Sequence, residues 1–351
     1  MSSSSPKVRT LTRAFQQAVV IGDGGWGTAL ALILVRNGLA VRMWCHDPMQ
    51  AQTLTREREN KRYLPGVALP EGISFHADPH EACTGIDLAV SVVPTQFLRG
   101  VAGLFEEALP GQVPIVSATK GLEIESFLTP TAILRQCIGE RAMCVLTGPS
   151  HAEEVARGLP ASVIAASRDE QLAQRVQAAF GCDSLRVYTN GDPRGAELAG
   201  ALKNVIAIAA GICDGLGLGD NAKAALIARG MVEMARFGST RGAQATTFFG
   251  LAGMGDLMTT CYSRHSRNRS VGERIGRGET LQQILAGMQM VAEGVWTTKA
   301  LFGPESEDSS VSMPIAQAVH AILFEELSPR AAVLRLMQRE PAVEMKGLEL
   351  T

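Results

Sequence analysis

The sequence lacks the cysteine and histidine patterns that hold metals or disulfide frameworks. Its seven cysteines are an odd number, none of them forms a C-x-x-C pair, and no histidine cluster stands at metal-ligand spacing. The pattern argues against a zinc site and against a disulfide scaffold. We therefore expect reduced thiols, a cytoplasmic location and no bound metal.

The chain also lacks a strong net charge and a long apolar run. Its 33 basic and 35 acidic residues leave a formal charge of −2, so we expect no nucleic-acid partner, and a bound anion should be held by a few placed cations. The apolar run over residues 28–35 is much shorter than the ~20 residues that cross a bilayer. We expect no integral membrane segment, and the polar start MSSSSPKVRT predicts a flexible tail over residues 1–15 and no signal peptide.

What is present indicates a globular protein of two domains, because 351 residues with 46% hydrophobic content can bury a sizeable core. No internal repeat is visible. Short apolar runs predict strands at residues 18–21, 40–44, 88–93, 114–118, 144–147 and 162–166. Helical patterns lie between several of them, which predicts a doubly wound, mostly parallel α/β Rossmann-type domain over residues 16–192.

The residue composition changes after the turn-rich segment YTNGDPRG. From Glu197 onward, β-branched runs are scarce and helix formers dominate. This part predicts an all-α C-terminal domain over residues 193–351, with glycine-rich connections at 215–219 and 250–255 and a boundary near residues 189–196.

A glycine cluster follows the first predicted strand. Gly22, Gly24 and Gly27 fit G-x-G-x-x-G, with a strand before them and a helix after them. That context predicts a cradle for a dinucleotide pyrophosphate, and a purely structural turn is the alternative. At the end of the second strand either Asp47 or His46 could meet the adenosine ribose, so the choice between NAD and NADP stays open.

Three charged residues stand in unusually apolar or glycine-rich surroundings. Lys120 follows a predicted strand at the edge where α/β sheets bind ligands, although a loop lysine in solvent is the alternative. Lys203 lies in the apolar segment ELAGALKNVIAIAAGI, where it either reaches solvent or is desolvated with a lowered pKa. Asp256, in AGMGDLMTTC, is either a helix N-cap or a carboxylate that orients a lysine or a substrate hydroxyl.

Other segments carry weaker signals. Ser266, Arg267 and Asn268 suit phosphate, because a guanidinium binds it bidentately, and a solvated basic loop is the alternative. The small residues Gly148 and Ser150 follow a strand and leave backbone accessible. For Glu293 an exposed turn is the default expectation.

Taken together, these segments resemble the bacterial-type NAD(P)-dependent glycerol-3-phosphate dehydrogenases. The resemblance runs from IGDGGWGTAL through ATKGLE, TGPSHAEEVARGLP and ELAGALKNVIAIAAGICDGLGLGDNAKAALI to GLAGMGDLMTTC, SRNR and AEGVWTT. It implies reversible hydride transfer between NAD(P)H and dihydroxyacetone phosphate, which yields sn-glycerol 3-phosphate for phospholipid synthesis.

The resemblance also implies roles for single residues. Lys203 would be the general base, Lys120 would lie between nicotinamide and substrate, and Asp256 would keep the lysine oriented. Cofactor contacts would come from Gly25, Trp26, His46, Lys120, Ala152, Arg267, Val291 and Glu293. Substrate contacts would come from Lys120, Gly148, Ser150, Lys203, Asp256, Ser266, Arg267 and Asn268.

Three positions depart from the family's commoner residues: Gly25, His46 and His151. Other interpretations are a Rossmann dehydrogenase for a different hydroxy acid or sugar phosphate, and a dinucleotide sensor without catalysis. The chain could also form a homodimer.

Overall fold

The computed structural model describes residues 14–288, 291–304, 306, 311–345 and 347–348. Within them the first half of the chain is built on a central sheet with a small hairpin beside it. The strands are β1 Gln17–Ile21, β2 Ala40–Trp44, β3 Glu59–Asn60, β4 Leu64–Ala68, β5 Ile73–His76, β6 Leu88–Ser91, β7 Ile115–Ser117, β8 Met143–Thr147, β9 Ala161–Ala166 and β10 Leu185–Asn190.

The central sheet has eight strands in the order β10-β9-β8-β7-β6-β1-β2-β5, and β3 pairs with β4 in the hairpin. All neighbours in the large sheet are parallel except β8 and β9. The chain moves from β1 toward one edge and then returns to build the other side from β6. The carboxyl ends of β1 and β6 therefore flank the switch point, which is where open α/β sheets bind ligands.

Helices cover the sheet because its strands are apolar on both faces. In this half they are α1 Gly25–Arg36, α2 Pro48–Glu57, α3 Pro79–Ala82, α4 Thr95–Leu104, α5 Pro130–Ile138, α6 Ala152–Ala156 and α7 Glu170–Phe180. Several begin with an aspartate cap followed by proline or glutamate, which is the local signal for a helix start.

From Pro193 onward the described residues are helical. The elements are α8 Pro193–Leu216, α9 Gly219–Thr240, α10 Ala245–Phe249, a π-helical turn Leu251–Gly255, α11 Asp256–Tyr262, α12 Arg267–Gly276, α13 Leu281–Ala286, α14 Glu293–Leu301, α15 Pro314–Phe324 and α16 Pro329–Met337. The doubly wound, mostly parallel first half and the all-α second half are thus confirmed.

Helix α8 is the core of the helical half, since α9, α11, α12 and α14 all pack against it. By length and composition alone it could cross a membrane, but its apolar window is 100% buried inside the protein. A helix surrounded by other helices is apolar on every side for the same reason that a membrane helix is. Its hydropathy therefore reflects packing against these neighbours.

The predicted strands agree with the observed ones to within two residues at each end. Strands β3, β4, β5 and β10 were not predicted, and the expected glycine connection at residues 250–255 contains the π-helical turn. Most of the predicted tail, residues 1–13, lies outside the described residues, whereas Phe15 is buried. The exact domain boundary at residues 192/193 stays a prediction; the last strand ends at Asn190 and α8 begins at Pro193.

Helices α8 and α12 cross so closely that their backbones are in contact. A Cβ built on Gly272 would lie 1.9 Å from the Ile208 carbonyl oxygen, and one on Gly211 would lie 2.0 Å from the Arg269 carbonyl oxygen. Such distances admit no side chain, so glycine on both helices sets their separation. The crossing brings the first residues of α12 beside the middle of α8.

We expect Gly272→Ala to lower the free energy of unfolding by about 3 kcal/mol or more, because an atom placed against backbone forces the two helices apart. Urea unfolding followed by circular dichroism measures this. Gly100→Ala is the matched control: Gly100 is exposed in α4 with open space at its Cβ position, so alanine should stabilise by about 0.5–1 kcal/mol. Equal effects of both changes would contradict the packing argument.

Candidate active site

The glycine cluster forms a tight turn between β1 and α1. Gly22 has φ +117°, and a Cβ on Gly27 would lie 2.1 Å from the Gly22 carbonyl oxygen, so the helix starts directly against the turn. Gly24 caps α1 without a side-chain hydrogen bond, and the first turn carries no acidic residue. The N–H groups at this helix end are therefore left for an anion, which fits a dinucleotide pyrophosphate.

Asn60, which the sequence analysis missed, holds this turn in place. Its side chain is fully buried, and Nδ2 donates to the Asp23 carbonyl oxygen at 2.7 Å and to Thr28 Oγ1 at 2.8 Å. Asn60 lies on the unpredicted hairpin, so no local pattern around the glycines could have revealed it.

Other predicted cofactor residues lie around the turn. A Cβ on Gly25 would be 3.7 Å from Ala152 Cβ and 2.8 Å from the Tyr63 carbonyl oxygen, so α6 and the hairpin form its walls. The indole N–H of Trp26 is buried and has no hydrogen-bond partner among the described residues.

Asp47 and His46, the two candidates for contact with the adenosine ribose, have different surroundings at the end of β2. Asp47 caps α2, since its carboxylate accepts from the Met49 N–H at 2.9 Å. His46 is exposed, and its ring lies 5.9 Å from that of Trp44. Asp47 is thus engaged in the capping role that its Asp-Pro sequence suggested.

Lys120, Lys203 and Asp256 come together beyond the carboxyl ends of β7 and β8. Asp256 accepts from Lys120 Nζ at 2.6 Å through Oδ2 and from Lys203 Nζ at 2.8 Å through Oδ1. Lys203 and Asp256 are buried, at 6% and 2% exposure. Lys203 therefore does not reach solvent, and Asp256 is not the helix cap, which is Gly255. Lys120 lies in the loop after β7, but it pairs with Asp256 and is not a free surface lysine.

Burial and the ion pairs act in opposite directions on these groups. Burial lowers the pKa of Lys203 to about 8, although Asp256 raises it and Lys120 lowers it further. Burial alone would raise the pKa of Asp256, but the two ammonium groups outweigh burial and hold that pKa below its usual value. The site thus contains a carboxylate that stays ionised beside an amine that exchanges protons near neutral pH.

Thr260 completes the cluster and was also missed from the sequence. Its hydroxyl oxygen accepts from Lys203 Nζ at 2.6 Å, and its O–H donates to the Asp256 carbonyl oxygen at 2.6 Å. It lies one helical turn after Asp256 on α11, the spacing at which two side chains share a face. That spacing is the signal that could have found it.

The segment after β8 borders the lysines. The Gly148 carbonyl oxygen accepts from Lys120 Nζ at 3.2 Å and from Ser150 Oγ at 2.9 Å. His151 Nε2 is buried with no hydrogen-bond partner among the described residues. Burial lowers the pKa of His151, as does the charge of Lys203.

The predicted phosphate residues form the start of α12. Ser266 is its N-cap and accepts from the Arg269 N–H at 3.2 Å, while Arg267 is exposed and donates to the Val291 carbonyl oxygen at 2.7 Å. Asn268 is buried and links two helices: it donates to Asn204 Oδ1 and accepts from the Gly294 N–H, each at 2.9 Å. An arginine in the first turn of a helix is a suitable anion site.

Glu293 is not in an exposed turn; it begins α14 and reaches across to the sheet domain. Its Oε1 accepts from the Thr95 N–H at 2.9 Å, while Oε2 is buried without a partner among the described residues. Burial raises the pKa of Glu293 to about 7. A Cβ on Gly121 would lie 2.9 Å from its Oε2, so Glu293 lies beside the residue that follows Lys120.

The arrangement therefore places a dinucleotide cradle, a buried proton-exchanging lysine and a helix N-terminus with an arginine around one edge of the sheet. These features define a two-domain dehydrogenase of the Rossmann class.

Comparison with known proteins identifies the family. The family model for the N-terminal part of NAD-dependent glycerol-3-phosphate dehydrogenase matches residues 17–173, and the model for its C-terminal part matches residues 192–334. The glycerol-3-phosphate dehydrogenase (NAD(P)+) of Chlorobium limicola is 48% identical over 330 residues, covering 93% of this chain and 98% of that protein. The corresponding enzyme of Thermus thermophilus is also 48% identical, with 93% and 100% covered.

Solved structures agree. Glycerol-3-phosphate dehydrogenase from Coxiella burnetii superposes with a TM-score of 0.88 at 37% identity, covering 93% of this chain and 99% of that one. A ketopantoate reductase from Ralstonia eutropha, at 16% identity and a TM-score of 0.52, shares the fold alone. The chain belongs to the NAD-dependent glycerol-3-phosphate dehydrogenase family.

We expect Asn60→Ala to weaken NADH binding at least about tenfold, because the turn loses two buried hydrogen bonds that hold it in place. Titration of NADH fluorescence measures the dissociation constant. Asn37→Ala is the control, since Asn37 Nδ2 also donates twice, to the carbonyl oxygens of Ala179 and Gly181, away from the cradle. Equal loss of affinity in both variants would refute the role of Asn60.

Proposed function

We propose that this protein is an NAD(P)-dependent glycerol-3-phosphate dehydrogenase that interconverts dihydroxyacetone phosphate and sn-glycerol 3-phosphate. The observation that carries the proposal is the Lys120–Asp256–Lys203 cluster, which lies beyond the carboxyl ends of β7 and β8. Helix α8 carries Lys203 and crosses α12 further along its length. Family membership at 48% identity supports the same reaction.

The cradle residues Gly22, Gly24, Gly25 and Gly27 would hold the pyrophosphate of the dinucleotide, with α1 directed at it. Trp26, His46 and Ala152 on one side, and Arg267, Val291 and Glu293 on the other, would complete the cofactor site. When bound, the nicotinamide supplies or accepts the hydride at C2 of the substrate. Because His46 could face either a 2′-hydroxyl or a 2′-phosphate, both NAD and NADP remain candidates.

Lys203 moves the proton in this mechanism. As an ammonium it donates a proton to the C2 oxygen of dihydroxyacetone phosphate, and as a neutral amine it takes that proton back from the hydroxyl of sn-glycerol 3-phosphate. Lys120 adds positive charge where the oxygen becomes an alkoxide. Asp256 and Thr260 fix the direction of the Lys203 amine through their hydrogen bonds.

The phosphate of the substrate would be held by Ser266, Arg267 and Asn268, with Gly148 and Ser150 closing the other side. Holding a dianion at one end positions C2 relative to Lys203, so binding energy remote from the reaction serves orientation. The further parts of the proposal are a supply of glycerol phosphate for phospholipids, a cytosolic location that seven free thiols fit, and a homodimeric assembly.

A spectrophotometric assay with dihydroxyacetone phosphate, run with NADH and with NADPH, tests the function and the cofactor choice together. Oxidation of either cofactor that depends on dihydroxyacetone phosphate is the expected result. Cofactor binding without turnover would indicate a sensor. Turnover only with another hydroxy acid or sugar phosphate would indicate a different dehydrogenase of this fold.

The pH dependence of the reduction should report Lys203. Because burial lowers the pKa of Lys203 to about 8, the ammonium donor is lost as pH rises through that value, and kcat/KM for reduction should fall above about pH 8. For oxidation the neutral amine is needed, so the rate should rise over the same range.

Lys203→Ala should abolish the fall in kcat/KM for reduction above about pH 8. It should also lower kcat by about 100-fold or more, with NADH affinity changed little. Lys299→Ala, at an exposed lysine of α14, should keep both the rate and the profile. A near wild-type rate in Lys203→Ala would exclude Lys203 as the acid and base.

Arg267→Ala should raise KM for dihydroxyacetone phosphate at least about tenfold, since a charge-assisted contact with phosphate is lost. Arg264→Ala, an exposed arginine three residues earlier, serves as the control and should leave KM unchanged. An unchanged KM in Arg267→Ala would place the phosphate elsewhere.

A further inference from the structure

A cavity of about 570 Å³ lies between the two domains on the side away from the active site. Its sheet-domain wall includes Met143 at the amino end of β8 and the residues that follow β9, and its other wall is the start of α8. The active-site residues follow the carboxyl ends of β7 and β8. The cavity therefore opens at the opposite edge of the sheet, and its volume lies in the range of small-molecule sites.

Four arginines line this cavity: Arg135, Arg168, Arg194 and Arg241. Arg135 pairs with Glu140 at 2.9 Å, whereas the other three make no ion pair within the part of the chain that the structure describes. Arg241 packs against both Phe127 and Phe237, which contact each other edge to face, and its guanidinium carbon lies 5.1 and 5.2 Å from their ring centroids. Its Nη2 is buried and lacks a hydrogen-bond acceptor among these residues.

The two acidic residues of the wall do not neutralise these arginines. Glu197 is buried and accepts from the Thr131 N–H at 2.7 Å and from Thr131 Oγ1 at 2.6 Å. Burial raises the pKa of Glu197 above its ordinary value. Asp169 caps α7 by accepting from the N–H groups of Gln171 and Leu172. The cavity thus keeps an excess of positive charge.

Three helices begin at the cavity wall. The cavity wall includes the N-cap or first residues of α5, α7 and α8, represented by Thr129, Asp169 and Pro193. Each of these N-termini already has a carboxylate partner: Glu197 accepts from the Thr131 N–H of α5, Asp169 caps α7 and Asp192 caps α8. The excess positive charge of the cavity therefore comes from its arginines. In a protein with a net charge of −2, this concentration of cationic groups is local and not a property of the whole surface.

We propose that this cavity is a second anion site, which binds the phosphate group of a small metabolite or free phosphate. Arg194 and Arg168 contact the anion from the two domains, and Arg241 donates from the wall. The site is separate from the reaction: Glu197 precedes Lys203 by six residues on α8, about 9 Å along the helix. Ligands of the two sites should therefore bind without competing.

Equilibrium dialysis with labelled inorganic phosphate tests the proposal on the full chain. The double variant Arg168→Gln/Arg194→Gln should bind one phosphate fewer per chain than the wild type, because losing each charged contact lowers affinity about tenfold. Both arginines are exposed, so the fold should persist, and KM for dihydroxyacetone phosphate should stay within about twofold of the wild type.

Arg330→Gln is the matched control, since Arg330 also follows a proline at the start of an exposed helix, α16, outside the cavity. It should bind as many phosphates as the wild type. Unchanged phosphate binding in the double variant, or equal loss in Arg330→Gln, would overturn the proposal.

Arg241→Gln gives an independent check: this variant too should bind one phosphate fewer per chain than the wild type, and unchanged phosphate binding would count against the site. A wild type that binds phosphate here but does not reduce dihydroxyacetone phosphate would refute only the proposed reaction.

Discussion

The buried carboxylate of Asp256 is the constraint on which the rest of the site depends. Two ammonium groups share it, Lys120 from the sheet domain and Lys203 from α8. Taking these charges out of water costs several kcal/mol per ion, and only close pairing offsets that cost. The two domains must therefore meet with their lysines on either side of one aspartate. The π-helical turn Leu251–Gly255 delivers that aspartate, and such turns recur at functional sites.

Helix α8 both stabilises the helical domain and positions the residues of the active site. It is the central helix of the second domain, and its glycine-lined crossing with α12 sets how close the start of α12 lies to Lys203. The hydrogen bond from Asn268 to Asn204 and the one from the Gly294 N–H to Asn268 tie three helices at this point. Glu293 extends the connection to Thr95 in the sheet domain. The geometry of the site thus follows from helix packing more than from any single loop.

Local patterns predicted most of the fold and part of the site. The apolar runs, the glycine cluster and the aspartate caps are signals within a few residues, and the strands they predicted are present. Asn60 could not be found this way, because its partners Asp23 and Thr28 lie 37 and 32 residues away in the chain. Glu293 was expected in an exposed turn for the same reason, since its partner is 198 residues distant.

The sequence by itself determined the two-domain order, the parallel sheet with its glycine turn, and the family. These depend on side-chain periodicity and on motif spacing along the chain. Only the tertiary structure decided that Lys203 is desolvated and that Asp256 bridges two lysines. It also decided that four arginines line one cavity beside the start of α8. Burial and charge pairing depend on which distant segments meet, and a one-dimensional pattern does not contain that information.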